Sequence, residues 1–296
     1  MKGDVGVQAA VSLEALIDRE LRQPVQPEAM AFADVLRARF GDAMRAVLFY
    51  GSCLRSRDAA GVLDFYVLVD SYRPLYRARI SALFNRLLPP NVYFLSTATM
   101  PAVAAKVAVI SLDQFARRMH AQSLDTTLWA RFAQPAALVY AADDEVRRKI
   151  IAALLSANAT AVAWARRFAP DAANPRTLWA TLFWNTYNAE LRTERGSRGV
   201  QVYDTDPERY ETVTEALAAT PPARGAWALR RVAGKLLSVL RLTKAAFTFS
   251  GAADYVAYKL ERHTGVPLEL TPWQRRHPLL AAPVLLARLY GAGLIR

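Results

Sequence analysis

The chain has little cysteine and little histidine, which excludes several kinds of site. Its 296 residues contain one cysteine, Cys53, so neither an internal disulfide nor a cysteine zinc site can form. A single cysteine suits a reducing compartment. The three histidines, His120, His263 and His277, are distant from Cys53 in sequence. We therefore expect Cys53 to be a packing residue rather than a nucleophile.

Long hydrophobic runs are also missing. No stretch reaches ~18 apolar residues without a charge, so we expect no membrane-spanning helix. The nearest approach, residues 278–295, is broken by Pro283 and Arg288. The first twenty residues contain four acidic side chains and no long apolar segment, and we expect no signal peptide there.

Acidic residues are in deficit, with 26 Asp and Glu against 38 Lys and Arg, a net charge of +12 and a pI near 10.1. Such an excess predicts an anionic partner: nucleic acid, a nucleotide or an acidic membrane surface. The excess is concentrated in residues 221–296, which carry twelve basic and three acidic residues. The hydrophobic share of 53% predicts a sizeable core.

The order of apolar runs predicts strands first and helices later. Apolar runs that end at Gly51 and Asp70, and the segments "NVYFLS" and "KVAVIS", are typical of strands. Residues 10–39 and the segment "RARISALFNRLL" have helical spacing. From about residue 142 the spacing is helical, beginning with a helix that Asp143 or Asp144 can cap.

We therefore predict an α+β fold in three parts. Residues 1–141 form a domain with a mixed sheet. Residues 142–222 form a helical domain, and residues 223–296 a basic helical region. In the last part, residues 227–247 predict a basic amphipathic helix, with Val232, Leu236 and Val239 on one side and basic side chains around the rest. Either an ordinary core-facing helix or an anion-binding surface fits this pattern.

A short strand ending in Gly-Ser, followed by a strand that opens with Asp, raises a chemical question. Gly51 allows a tight turn and close approach of a ligand to the backbone. Ser52 and nearby N–H groups suit phosphate oxygens. Asp64, on the next strand, suits Mg²⁺, which bridges phosphates. A phosphate cradle beside a metal carboxylate is the minimum needed for nucleotidyl transfer.

The segment "YGSCLRSRDAAGVLDFYVLVD" resembles the signature of the mitochondrial-type CDP-diacylglycerol synthases (phosphatidate cytidylyltransferases), nucleotidyltransferases of the polymerase-beta type. Their Tyr-Gly-Ser turn is matched by residues 50–52 and their Leu-Asp-Phe-x-x-x-Val-Asp strand by residues 63–70. "KVAVIS" resembles their Lys-x-Gly-Val-Ile-Ser strand, and "TYNAELR" their Tyr-Ser-Gly-Asp-Phe-Arg segment. The matches span roughly residues 45–260.

This resemblance implies a polymerase-beta-type nucleotidyltransferase domain that transfers a cytidylyl group from CTP to phosphatidate with Mg²⁺, giving CDP-diacylglycerol and pyrophosphate. It also implies a peripheral protein on the cytoplasmic face of an anionic membrane, the bacterial or mitochondrial inner membrane, and no nucleic-acid partner. The implied site residues are catalytic Asp64 and Lys106, the metal ligands Asp64 and Asp70, and the nucleotide-binding residues Gly51, Ser52, Tyr187, Glu190 and Arg192.

Two departures from the family pattern leave alternatives open. Tyr66 stands where the family's Asp-x-Asp pair has its second acid, and Asp70 is about 20 Å from Asp64 along an extended strand, so Glu190 or Asp58 is a candidate second ligand. The segment after Asp70 also lacks the family's Trp-His loop. The alternatives are a nucleotidyltransferase with a soluble acceptor and a non-catalytic anion-binding relative.

Overall fold

The computed structural model describes residues 13–58, 61–76, 79–97, 100–190, 198–248 and 270–276. The strands are β1 (Met44–Tyr50), β2 (Val62–Val69), β3 (Asn91–Thr97), β4 (Met100–Ser111) and β5 (Ala136–Ala141). The helices before β5 are α1 (13–21), α2 (Pro27–Phe40), α3 (Ser52–Ser56), α4 (Arg79–Leu87), α5 (Leu112–Arg117) and α6 (Thr127–Phe132). Those after it are α7 (Asp144–Phe168), α8 (Pro175–Ala189), α9 (Arg198–Asp204), α10 (Pro207–Ala216), α11 (Trp227–Thr248) and α12 (Pro272–Arg276).

The five strands form one mixed sheet in the order β3-β4-β2-β1-β5. Strand β2 lies at its centre, antiparallel to β1 and parallel to β4. Five consecutive residues of β2, from Phe65 to Val69, are fully buried. This explains the unbroken apolar run in the sequence, since a strand covered on both faces has no polar side.

Helices cover both faces of the sheet. One face packs Val47, Phe49, Phe65 and Val107 against α2, whose Phe32 and neighbouring apolar residues are buried. The other face carries Leu48, Tyr66 and Ile110 and packs against α1 and α5–α8, with α10 in the same apolar cluster. The sheet thus lies between one helix layer and a thicker helical layer.

The helical half shares its core with the sheet. The cluster that contains Leu48 and Ile110 also contains Trp164 of α7, Trp179 of α8 and Tyr210 of α10. Helix α7 begins as predicted, because the Asp143 side chain accepts a hydrogen bond from the Val146 N–H at 2.8 Å. At residue 142 the secondary structure changes from strands with short helices to long helices. The predicted boundaries of three domains stay predictions.

Several elements differ from the sequence prediction. The predicted strands are present, but β5 and the short helices α5 and α6 were not expected. Helix α8 ends at Ala189, within the segment "TYNAELR". Among the described residues, no helix combines the length and apolar character that crossing a bilayer requires. Residues 278–295 lie outside the described residues.

Helix α11 forms where the sequence predicts it, but its apolar side faces away from the protein. Val232 is 65% exposed and Leu236 57%, whereas Arg230 is buried. The alternative of an ordinary helix with its apolar side on the core is therefore wrong. Part of the basic side of α11 packs against the protein instead.

Candidate functional site

The Gly-Ser turn joins the end of β1 to α3. Gly51 has φ +91°, in the left-handed region that side chains other than glycine rarely adopt. Ser52 is the first residue of α3 and is exposed. The first N–H groups of a helix have no partner within it, and in α3 they follow directly after the end of β1 and Gly51. The local backbone therefore depends on glycine at position 51.

Asp64 lies directly against this turn. It pairs with Tyr50 across the antiparallel β1–β2 ladder. A Cβ atom added to Gly51 would come within 2.8 Å of the Asp64 carboxylate oxygen Oδ2 and 3.3 Å of its Cβ. Glycine is thus required twice, for the backbone angle and for the space that the carboxylate fills. The fold brings Gly51, Ser52 and Asp64 together, as the sequence predicts.

Lys106 stands beside Asp64 on the neighbouring strand. The two residues are register partners in the parallel β2–β4 ladder, so their side chains leave the same face of the sheet, and adjacent strands are ~4.8 Å apart. The next residues on that face, Tyr66 and Ala108, are also partners and are buried. Lys106 itself is exposed. The fold therefore sets a lysine and a carboxylate side by side at the edge of the core.

Arg131, on α6, reaches this point from the helical layer. Its Nη1 donates a hydrogen bond to the Tyr66 hydroxyl at 2.9 Å. Its guanidinium lies 5.5 Å from the centre of the Tyr50 ring and 5.9 Å from that of the Tyr66 ring, within the range of a cation–π contact. Position 66, where the resembled family has its second acid, is thus a buried tyrosine that binds a cation.

Two carboxylates act on Arg131. Burial lowers the pKa of the guanidinium, but the hydroxyl oxygens of Tyr50 and Tyr66 and the carboxylates of Glu190 and Asp64 favour the charged form, and together they raise the pKa well above its ordinary value. Arg131 therefore stays charged.

We call Gly51, Ser52, Asp64, Lys106, Arg131 and Glu190 the Asp64 cluster.

Helix α8 supplies Glu190 because it ends just before it. Glu190 has an extended backbone (φ −102°, ψ 160°), and its N–H still bonds the Tyr187 carbonyl. Tyr187 lies in the last turn and stacks on Phe183, with ring centres 6.2 Å apart. Arg192 lies outside the described residues, and its predicted role stays a prediction.

Asp70 is at the other end of β2. It follows Val69, is exposed, and donates its N–H to the Ala43 carbonyl at 3.1 Å. Six residues of continuous strand separate it from Asp64, about 20 Å at ~3.3 Å per residue. The structure does not bring Asp70 and Asp64 to one ion. Instead, Asp70 borders a separate surface pocket with Arg73, Arg86 and Arg117.

Three other charged residues and Cys53 lie in or next to the turn. The Arg55 side chain bonds the Gln134 side chain, Nη1 to Oε1 at 3.3 Å. Arg57 ends α3 with φ +54°, and Asp58 follows it, both exposed. Cys53 is buried and its Sγ donates to the Val62 carbonyl, while burial raises the pKa of its thiol. This agrees with the packing role predicted for it.

Mg²⁺ can be tested against this donor set. Within the residues that the structure describes, no three His, Cys, Asp or Glu side chains come together as a metal site. However, Mg²⁺ commonly takes only one or two protein carboxylates together with substrate phosphates. Asp64 and Glu190 are the acids whose charge acts on Arg131. The residues fit a Mg²⁺ that a triphosphate helps to hold, and they do not fit an all-protein cage.

Sequence reasoning missed Arg131. The short helix α6 has no motif around it, and Arg131 lies 65 residues from Tyr66. The only available signal was Tyr66 itself: a tyrosine in place of an acid, on a buried strand, needs a polar partner for its hydroxyl.

Comparison with known proteins adds little to this geometry. The chain matches no family model, and no curated protein matches it. Among solved structures, it is similar to a nucleotidyltransferase-like protein from Exiguobacterium sibiricum 255-15, with 12% identity over 92% of this chain and 93% of that one and a TM-score of 0.29. Function is therefore argued from the Asp64 cluster itself.

Proposed function

We propose that the Asp64 cluster binds a nucleoside triphosphate and transfers its nucleotidyl group to a phosphate-bearing acceptor. The observation that carries the proposal is the contact of Asp64 with Gly51, which sets a carboxylate that suits Mg²⁺ directly against the Gly-Ser turn at the start of α3. A loop that needed glycine only for turning would leave the space beside it open, as at Gly41, where an added Cβ meets nothing within 4 Å.

The charges of the cluster suit this chemistry. In nucleotidyl transfer, an acceptor oxygen bonds to the α-phosphorus, and the bond from that phosphorus to the bridging oxygen breaks. Pyrophosphate leaves with the electron pair. Negative charge grows on the phosphate oxygens, and Lys106 and Arg131 are placed to stabilise it. Because Tyr50 and Tyr66 hold Arg131 in place, its charge needs little reorganisation during the reaction.

Asp64 and Glu190 have a different task. They are the residues that would hold Mg²⁺ together with the triphosphate, and the ion would neutralise phosphate charge when bound. Apart from the ion, Asp64 fixes the position of the Gly51 turn, and Glu190 balances the charge of Arg131 when no nucleotide is present. Binding and orientation account for most of the rate in phosphoryl chemistry of this kind.

CTP as donor and phosphatidate as acceptor are the finer form of the proposal. They come from the sequence resemblance, and the basic, apolar-faced helix α11 is consistent with a lipid acceptor. A soluble acceptor is the alternative. The test is incubation with each of the four nucleoside triphosphates, labelled at the α-phosphate, with Mg²⁺ and either phosphatidate vesicles or soluble sugar phosphates. The labelled product identifies both donor and acceptor.

A second candidate function is favoured by one contact. The Tyr66 hydroxyl occupies the place of the family's second acid and bonds Arg131, which increases positive charge where the family has negative charge. A nucleotide-binding relative without transfer activity would use the same cluster as an anion site. Nucleotide binding that needs no Mg²⁺, with no labelled product from any of the four nucleotides, would identify this function instead.

A further inference from the structure

Helix α11 is attached to the protein through its basic residues. Arg230 is 5% exposed, donates from Nη2 to the Ala121 carbonyl at 2.8 Å, and lies 4.5 Å from the centre of the Trp164 ring. Arg241 pairs with the buried Asp125 and donates from Nε to the Pro89 carbonyl at 2.9 Å. The basic groups that usually face water are therefore bound to the fold.

Near the C-terminal end of α11, its residue Lys244 attaches the helix to the protein. The ammonium donates to the Asn85 side chain at 3.0 Å and to the carbonyls of Leu88 and Pro90 at 2.6 and 3.0 Å. Burial, and secondarily the charge of Arg241, lower the pKa of Lys244 to about 8. These three hydrogen bonds of the partly buried Lys244 ammonium fix α11 against the end of α4.

Glycine sets the rotation of α11. An added Cβ at Gly234 would come within 2.4 Å of the Ala189 carbonyl oxygen, so this side of α11 lies directly on the end of α8. Arg230, Gly234, Arg241 and Lys244 lie on one side of a helix with 3.6 residues per turn. The opposite side must point away from the protein.

That opposite side is apolar. Leu229, Val232, Leu236, Val239 and Leu240 are between 39% and 65% exposed. A surface helix normally turns such residues to the core. Five large apolar side chains on one exposed stripe therefore indicate a surface that is covered during function.

Helix α4, whose Asn85 side chain binds Lys244, also has exposed apolar residues. Leu83, Phe84 and Leu87 are 50% to 62% exposed, and Asn85, which binds Lys244, is the buried residue between them. We call the exposed apolar stripe of α11 the apolar face. Exposed basic residues accompany it: Arg231 and Lys235 on α11 and Arg86 on α4.

The charge around the apolar face decides what covers it. Neither α11 nor α4 contains an acidic residue, so a second copy of the chain would bring basic residues against basic residues. An anionic bilayer offers the complement: a hydrocarbon boundary for the leucines and valines, and headgroup phosphates for Arg231, Lys235 and Arg86.

We propose that the apolar face lies on an anionic lipid bilayer, with the side chains of α11 at the boundary between headgroups and acyl chains. The basic residues that bind the protein, Arg230, Arg241 and Lys244, are unavailable to lipid. Attachment therefore depends on the apolar stripe together with Arg231 and Lys235, and not on the total charge of the helix. The proposal is independent of the transfer reaction, because its measurements need no nucleotide.

Vesicle flotation of the full chain tests the apolar part. We expect binding to phosphatidylcholine vesicles that contain phosphatidylglycerol, and weak binding to phosphatidylcholine alone. Leu236→Ser should weaken binding about tenfold. Met30→Ser, at an apolar residue of similar exposure on α2, should leave it unchanged. Equal binding of wild type and Leu236→Ser would overturn the proposal.

A charge pair tests the electrostatic part. Arg231→Gln with Lys235→Gln should weaken binding to anionic vesicles by about tenfold or more. Arg148→Gln with Arg167→Gln removes the same charge from exposed positions of α7 and should have little effect. If both double variants lose binding equally, net charge rather than this face carries the attraction, and the proposal fails.

A fluorescent label separates a bilayer from other occupants. The native Cys53 is buried, so a dye that reacts with thiols should label an introduced surface cysteine selectively. Leu236→Cys carries a polarity-sensitive dye on the apolar face, and Met30→Cys is the control. We expect a water-like emission that shifts to the blue only when anionic vesicles are added. An apolar emission without vesicles would mean that a second copy or another part of the chain covers the face, and would overturn the proposal.

Discussion

Arg131 donates a hydrogen bond to the hydroxyl of Tyr66, 2.9 Å away, at the strand position where the resembled family has its second carboxylate. Tyr66 is 1% exposed, so its hydroxyl needs a partner inside the protein, and Arg131 is that partner. The cluster thus contains a fixed cation at the position where the resembled family has a metal ligand.

Removing this cation should weaken nucleotide binding. Arg131→Met keeps much of the side-chain volume but loses the charge, and we expect nucleotide affinity to fall at least tenfold, about the effect of one charge-assisted bond. Tyr66→Phe should cause a smaller loss, because the cation remains but is less well positioned. Isothermal titration with each nucleoside triphosphate measures both. Arg148→Met, on the exposed side of α7, is the control; unchanged affinity in Arg131→Met would remove Arg131 from the site.

Comparing Gly51→Ala with Gly41→Ala separates the two reasons for glycine at position 51, which are its backbone angle and the space that the Asp64 carboxylate fills. A side chain at φ +91° costs about 1–3 kcal/mol of folding free energy, and the added methyl must also displace the Asp64 carboxylate. Gly41→Ala is a matched control, since Gly41 has φ +53° and free space beside it. Both variants should lose stability in urea, and only Gly51→Ala should lose transfer activity. Equal activity in the two variants would show that the contact with Asp64 has no functional role.

Gly234→Ala should destabilise the protein, against the usual trend. In an ordinary helix, this change stabilises by roughly 0.5–1 kcal/mol. Here the methyl would meet the Ala189 carbonyl oxygen at 2.4 Å, so α11 must move away from α8 and strain the bonds of Arg230 and Arg241. Denaturant unfolding gives the sign directly. A more stable Gly234→Ala protein would contradict the described packing of α11.

Asp125 should couple the attachment of α11 to pH. Burial raises the pKa of this carboxyl, but Arg241 and Arg118 outweigh burial and lower the pKa to about 2. Since the unfolded value is about 3.8, the unfolded chain binds the proton first as pH falls. The stabilisation, about 2 kcal/mol, is complete above pH 3.8 and is lost as pH falls through about 2.

Asp125→Asn should remove this contribution at neutral pH. The variant leaves two arginines without their carboxylate, and we expect a loss of roughly 3 kcal/mol of unfolding free energy, as for other broken buried pairs. Asp204→Asn is the control, because its pair with Arg176 is exposed and such pairs contribute little. Unfolding curves of both variants between pH 2 and 7 give the comparison. Equal losses in the two variants would mean that burial does not strengthen the Asp125 pairs.

The sequence could predict features whose cause is local. Gly51 before Ser52, and Asp64 at the head of a buried strand, follow from turn chemistry and strand pattern, and pairing of β1 with β2 then brings them together. The beginning of α7 follows from a capping side chain. These predictions needed only neighbouring residues.

What the sequence could not show depends on tertiary contacts. The spacing of apolar residues in α11 predicts an apolar side and a basic side. It does not predict which of the two sides packs against the rest of the protein. That choice depends on the carbonyls of Ala121, Leu88 and Pro89, which lie in loops more than a hundred residues away. The meeting of Arg131 with Tyr66 has the same origin, since no spacing in the sequence links α6 to β2.

The most direct test of the account compares two aspartates on one strand. Asp64→Asn and Asp70→Asn make the same change at opposite ends of β2, and only the first is in the Asp64 cluster. Transfer of α-labelled nucleotide should fall about a hundredfold or more in Asp64→Asn and change little in Asp70→Asn, with nucleotide affinity and unfolding measured alongside. Wild-type transfer by Asp64→Asn, or a larger loss in Asp70→Asn, would contradict the assignment of the reaction to this cluster.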